Sequence, residues 1–191
     1  RVFVVEAVRD AFTKKVIDRA RAAKVGFDKT VDITTGPVID ARAWTRLKGL
    51  VDDAVSEGAT LLAGGDRPAG LNAGHYLAPT VLTDVTETMA VYREETFGPI
   101  VSIVPFDMKT DLLRMANDCE EGGLTAYIFT RNLARAEHYA ARLRYGEIQI
   151  NGVKYDIDLP HGGIGQSGIG HDCSALALHD YLVQKRITRA L

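Results

Sequence analysis

Glu94-Glu95-Thr96-Phe97-Gly98-Pro99-Ile100 sets a tandem carboxylate and an aromatic ring directly ahead of an apolar run, Val101, Ile103 and Val104, which Pro105-Phe106 closes. In an α/β protein the mouth of a buried strand is where ligand-contacting groups are presented, and a carboxylate there can accept hydrogen bonds from ligand hydroxyls. The other reading of the heptapeptide is a helix-to-strand turn with a solvated charge pair. A second stretch, Gly163-Ile164-Gly165-Gln166-Ser167-Gly168, has the glycine spacing of a dinucleotide fingerprint. That motif works by placing pyrophosphate on a helix N-terminus inside a βαβ unit, with an acidic residue about 20 positions on. Here the spacing falls late in a long loop and positions 185–189 read Lys-Arg-Ile-Thr-Arg, so it is not a fingerprint. His161, His171, Cys173 and His179 are metal-ligating types, but no C-x-x-C or H-x-x-x-H spacing joins them and no metal site is expected.

The elements that must carry these residues alternate between strand and helix patterns. Alternation calls for an α/β fold with a largely parallel sheet and flanking helices. Val2 to Val5 reads as a buried strand, followed by a helix from about Val8 to Lys24 with Val8, Phe12, Val16, Ala20 and Ala23 on one face. Asp40 is placed to N-cap a second helix with Trp44, Leu47, Val51 and Val55 inward, which Gly58 ends. Leu61 to Ala63 and Tyr76 to Val81 are short strands. Thr110 is expected to cap a helix carrying Leu112, Leu113 and Ala116, and Tyr127 to Phe129 is the next strand. Asn132 caps a helix with Leu133, Ala136, Ala140 and Leu143 inward, before a strand from Ile148 to Asn151. The glycine-rich segment 152–170 has no regular pattern, and a connection of that length in a compact domain is usually functional. Ser174 to Tyr181 can form a short helix. Val183 to Leu191 alternates apolar with basic and polar residues as an edge strand does, a form that invites pairing with another chain.

Composition narrows the partners. The 191 residues are 46% hydrophobic and 25% charged, ordinary material for a soluble globular domain with a full core. A formal net charge of −2 argues against a nucleic-acid partner. No apolar run approaches the roughly 20 residues that span a bilayer, so no membrane partner is expected. Cys119 and Cys173 are too few and too isolated for a disulfide framework, which fits a cytoplasmic protein.

Read together, these segments resemble the NAD(P)-dependent aldehyde dehydrogenases. The heptapeptide is similar to that family's E-E-x-F-G-P signature, and Gly36-Pro37-Val38-Ile39-Asp40 to its G-P segment. Gly64-Gly65 with Gly74-His75-Tyr76-Leu77-Ala78-Pro79-Thr80-Val81-Leu82 is similar to its G-G and P-T stretch. Ala116-Asn117 through Thr130, Gly146 through Asn151, and Pro160-His161-Gly162-Gly163 through Gly170 continue the match in order. The resemblance implies oxidation of an aldehyde to a carboxylic acid with NAD or NADP. A cysteine thiolate attacks the carbonyl, hydride passes to the nicotinamide, and water hydrolyses the thioester. The resemblance gives Glu95 the ribose beside the nicotinamide and Phe97 the ring face. It puts His161 on the wall of the aldehyde tunnel, with Tyr155 and Asp156 in the preceding loop that shapes it; loop packing and solvation are the other reading of these residues.

The resemblance also implies a C-terminal part of the catalytic domain over residues 1–182 and an oligomerisation strand over 183–191. The chain would open just after the catalytic cysteine, hold no catalytic residue and be inactive alone. Its partners would be the N-terminal dinucleotide-binding portion, the small-molecule aldehyde, and further copies in a homodimer or homotetramer. Neither cysteine present suits the nucleophile. Cys119 lies among Asp118, Glu120 and Glu121, whose charges oppose a thiolate, and Cys173 follows His171-Asp172 without a positioned base. Ala43 stands where many members carry a Gln that reaches the adenosine ribose, and His161 replaces the more frequent Phe, making the tunnel wall more polar. The alternatives are a non-catalytic oligomerisation or scaffold module with this fold, and a relative that makes acyl-CoA or reduces acyl phosphates.

Overall fold

The computed structural model describes residues 1–28, 32–118 and 122–190. Cys119 therefore lies outside the described residues. The chain divides into two compact units, Arg1–Leu112 and Leu113–Leu191. No helix among the described residues is long and apolar enough to cross a membrane.

In the first unit β1 (Val2–Val5), β2 (Thr60–Ala63), β3 (Thr80–Thr83) and β4 (Ile100–Phe106) form one sheet in the order β1-β4-β3-β2. β4 runs parallel to both its neighbours, with Ile103 opposite Val2 and Ile100 opposite Thr80, while β2 joins antiparallel through a bulge between Leu61 and Ala63. α1 (Arg9–Ala22) follows a 3₁₀ turn, Glu6–Val8, and lays Phe12, Val16, Ile17 and Ala20 on the buried trio Val4, Val81 and Ile103. Val8, expected on that face, ends the 3₁₀ turn and is half-exposed.

α2 (Ala41–Ser56) starts at Asp40, whose Oδ1 accepts from Ala43 N at 2.8 Å. That bond to an otherwise unsatisfied first-turn N–H is the main reason the Asp40 carboxyl sits below the usual carboxylate range. Leu47, Leu50, Val51 and Ala54 are its buried stripe, at the i, i+3, i+4, i+7 spacing of one helix face. Val55, expected inward, lies off that stripe and is exposed; Leu50 and Ala54 do its work. α3 (Ala90–Arg93) is a single turn pinned by buried Val91 and Tyr92, with Tyr92 edge-on to Phe3 at 6.3 Å.

One expected strand limit shifts for a reason of partnership. The Tyr76–Val81 strand begins its ladder only at Thr80, because Ala78 N is committed to Asp66 O at 2.9 Å and Pro79 has no donor. β4 closes at Pro105-Phe106 as expected, with both residues inside the strand. β3 pairs only with Ile100 to Ser102, so at Pro105 the strand has β1 alone beside it and a residue without an N–H is tolerated.

In the second unit β5 (Thr125–Ile128) and β6 (Glu147–Ile150) pair parallel, from Thr125 opposite Glu147 to Ile128 opposite Ile150, and α5 (Leu133–Ala140) connects them. Asn132 Oδ1 caps α5 by accepting from Arg135 N at 2.9 Å. A helix this short buries its central Ala136, while Leu133 at its first position is exposed, against expectation. Asn151 bonds Thr130 twice, accepting from its N and donating to its O, both at 2.8 Å, and so fastens together the ends of the two strands. Asn117, at the end of α4 (Leu112–Asn117), accepts from Arg144 N at 2.8 Å and donates to Arg142 O at 3.0 Å. Thr110 does not cap α4 as expected. Its hydroxyl lies 3.0 Å from Asp107 Oδ1, which also accepts from the N–H groups of Lys109 and Thr110, so the pair closes a turn ahead of the helix.

Segment 152–170 is irregular apart from a 3₁₀ turn, Gly165–Ser167. Gly123 O accepts from both Gly146 N and Ile164 N, and a Cβ on Gly146 would lie 1.7 Å from Gly162 O, so the loop crosses where only glycine fits. The expected short helix is a 3₁₀ helix, Ala175–Tyr181, capped by Ser174. The edge strand expected at 183–191 is not formed over the described residues 183–190. Residues 183–190 are exposed and join no ladder, since a strand exists only through a neighbour and none of the described strands pairs with them.

Candidate functional site

Glu95 and Phe97 occupy the loop between α3 and β4. Buried Tyr92 anchors one end, and at the other Thr80 N donates to Pro99 O at 2.7 Å. Phe97 has a left-handed φ of 48°, a conformation a bulky residue adopts only when its surroundings impose it, and the residue is 77% exposed. Two residues of α2 lie against this turn. Arg46 donates to the main-chain oxygens of Glu95, at 3.4 Å, and Thr96, and pairs with the Glu94 carboxylate at 3.5 Å. Leu47, fully buried, stands where a Cβ on Gly98 would come within 2.4 Å of it. The loop therefore holds out an exposed carboxylate residue and a flat apolar ring on a constrained main chain.

In the second unit the structure gathers Tyr155, His161, Asp172 and Cys173. His161 and Asp172 form an isolated antiparallel bridge, His161 N to Asp172 O at 2.9 Å and Asp172 N to His161 O at 2.8 Å. Their side chains meet as well, with Nδ1 2.8 Å from Oδ1. Nδ1 is engaged by this contact, and the other ring nitrogen, Nε2, lies outside the pair. Tyr155 packs edge-on to His161 at 5.7 Å, and its hydroxyl lies 2.8 Å from Cys173 Sγ. Cys173 and Ser174 are both left-handed, φ 60° and 53°, so this turn is strained. The Cys173 contact, then partial removal from water, pushes the Tyr155 phenol up to about 12. Asp156 is held below the usual carboxylate range, first by Lys154 Nζ at 3.0 Å and then by Asp158 N at 3.2 Å, and so organises its own turn.

Residues 1–187 match the aldehyde dehydrogenase family. The chain belongs to that family. It is 38% identical over 183 residues to glutarate-semialdehyde dehydrogenase of Pseudomonas putida, covering 95% of this chain and 37% of the relative. Succinate-semialdehyde dehydrogenase of Burkholderia pseudomallei superposes with a TM-score of 0.89 at 38% identity, over 96% of this chain and 38% of that one. An aldehyde dehydrogenase of Mycobacterium tuberculosis, solved in complex with NAD+, gives 0.88 at 31% identity, over 95% and 37%. This chain thus spans less than two fifths of the length of the relatives it matches.

Within this aldehyde dehydrogenase chain, the asparagines of two family motifs, Asn117 and Asn151, bond main chain. Among the described residues the Gly163–Gly168 stretch surrounds a 3₁₀ turn, with no strand leading directly into it and no α-helix after it. Among the described residues no three His, Cys, Asp or Glu side chains converge as a metal site would need. Sequence reasoning missed Arg46, because no local rule links a helix residue to carbonyls about 50 positions away. It also missed the Tyr155–Cys173 contact, which depends on two successive left-handed residues that no turn signal announces.

Proposed function

We propose that this chain is the C-terminal part of the catalytic domain of an enzyme that oxidises an aldehyde to a carboxylic acid with NAD or NADP. Family membership over residues 1–187 supports the reaction class, and the NAD+ complex of a relative supports the cofactor. The observation that carries the site is the Phe97 turn, an exposed aromatic residue at positive φ two residues after Glu95. That pair fits the nicotinamide-ribose end of a dinucleotide. Bound there, the dinucleotide supplies the hydride acceptor. The chain's own residues orient: Glu95 accepts from ribose hydroxyls and Phe97 restricts the ring to one face, which contributes proximity rather than acid-base chemistry. Tyr155, Asp156 and His161 border the aldehyde, and the imidazole Nε2 favours a substrate with a polar group.

Cys173 faces the Tyr155 phenol, which is no base at neutral pH, so the isolated chain is proposed to be inactive and to need the N-terminal dinucleotide-binding portion. Residues 1–182 serve the catalytic domain and 183–191 a homodimer or homotetramer contact; the two isolated cysteines support a cytoplasmic setting.

The test is Glu95→Gln in the full-length protein, with aldehyde oxidation followed through the absorbance of the reduced nicotinamide. Weakening a hydrogen bond to a charged acceptor costs roughly 1.5 to 3 kcal/mol, so the hydride step slows about ten- to a hundredfold. A wild-type rate, with hydride transfer shown to limit turnover, removes Glu95 from the site.

A further inference from the structure

We propose that Arg46 is a positioning residue for the cofactor site, acting through the main chain of residues 94–97; this rests on the cofactor reading above. One guanidinium on α2 reaches three consecutive residues, the Glu94 carboxylate at 3.5 Å, Glu95 O at 3.4 Å and Thr96 O. Those are the residues that lead into the left-handed Phe97, and the next side chain along α2, Leu47, closes the space at Gly98. A planar fork with five donors can hold two carbonyls and a carboxylate at once, whereas an ammonium offers one point of charge. By taking up Glu94, Arg46 also sets a positive charge beside two successive acidic residues. The helix thereby fixes where the Glu95 carboxylate and the Phe97 ring stand before any ligand arrives. That preorganisation saves the ordering cost at binding.

The experiment uses the full-length protein and calorimetric titration with NAD+, alongside thermal melting and the kcat and KM of aldehyde oxidation. Arg46→Ala weakens NAD+ binding about tenfold while the melting temperature stays close to wild type, and Arg46→Lys restores only part of the loss. Glu95→Gln weakens binding by itself, and the double variant Arg46→Ala/Glu95→Gln is no worse than the weaker-binding single variant, because both act on one loop. If the alanine variant melts early, the lysine variant and its double with Glu95→Gln carry the same comparison. Wild-type NAD+ affinity in the Arg46 variants, with Glu95→Gln impaired, overturns the positioning role. Fully additive losses overturn it too, since Arg46 would then act independently of Glu95. If Glu95→Gln itself binds NAD+ as wild type does, the cofactor reading has failed and the Arg46 proposal falls with it.

Discussion

Tyr155 keeps its proton to high pH because its hydroxyl lies 2.8 Å from Cys173 Sγ, with partial removal from water adding to the effect. A phenol at about 12 in the folded chain, against about 10 when unfolded, means that the folded state holds the extra proton between those values. The contact's contribution to stability is therefore complete below about pH 10 and is lost as pH rises through about 12. The chain has 7 tyrosines, so the titration is read as wild-type tyrosinate absorbance minus that of Tyr155→Phe. That difference should titrate near 12, and Cys173→Ala should bring it down toward the ordinary phenol range. An unmoved curve in the Cys173 variant would show that the sulfur is not the cause. At this scale the sequence was partly legible. The resemblance singled out Tyr155 and His161, but Asp172 and Cys173 reach them through a bridge and a strained turn that spacing does not encode.

α2 is the element on which the candidate cofactor loop depends, and Gly98 is its tightest contact. A Cβ there would lie 2.4 Å from a methyl of the fully buried Leu47. Gly98→Ala should destabilise the protein by about 1–3 kcal/mol, as overpacking of a filled core does, and lower its melting temperature. Adding Leu47→Ala should make the glycine substitution nearly neutral relative to Leu47→Ala alone; equal penalties in both backgrounds would show that the strain lies elsewhere. Elements were readable where their causes are local. Asp40 and Asn132 cap their helices as their residue types suggest, and spacing gave half of the buried stripe of α2, Leu47 and Val51, while Trp44 is only partly buried and Leu50 and Ala54 take the place of Val55. The start of β3 was not readable, because where a ladder begins depends on which neighbour pairs with the strand.

For the whole molecule, the feature that asks for company is the tail. Val183 is 96% and Ile187 84% exposed, and residues 183–190 join no ladder among the described strands. Deleting Val183 to Leu191 from the full-length protein should dissociate the homodimer or homotetramer proposed above, measured as a fall in mass by light scattering. An unchanged assembly from a folded variant would leave the tail as a charged, solvated end, with Lys185, Arg186 and Arg189 guarding it. Asn151 precedes Gly152, the pairing in which a main-chain nitrogen most readily attacks the side-chain amide and converts it, through a cyclic imide, to isoaspartate. Here both ends of that amide are held by Thr130, at 2.8 Å each, which restrains the carbonyl carbon from swinging onto the Gly152 nitrogen. The clasp that fastens β5 to β6 should therefore also slow chemical ageing. Peptide mapping after prolonged warm incubation should find Asn151 intact while the protein is folded and deamidated once it is unfolded; equal rates in the two states would mean the clasp gives no protection.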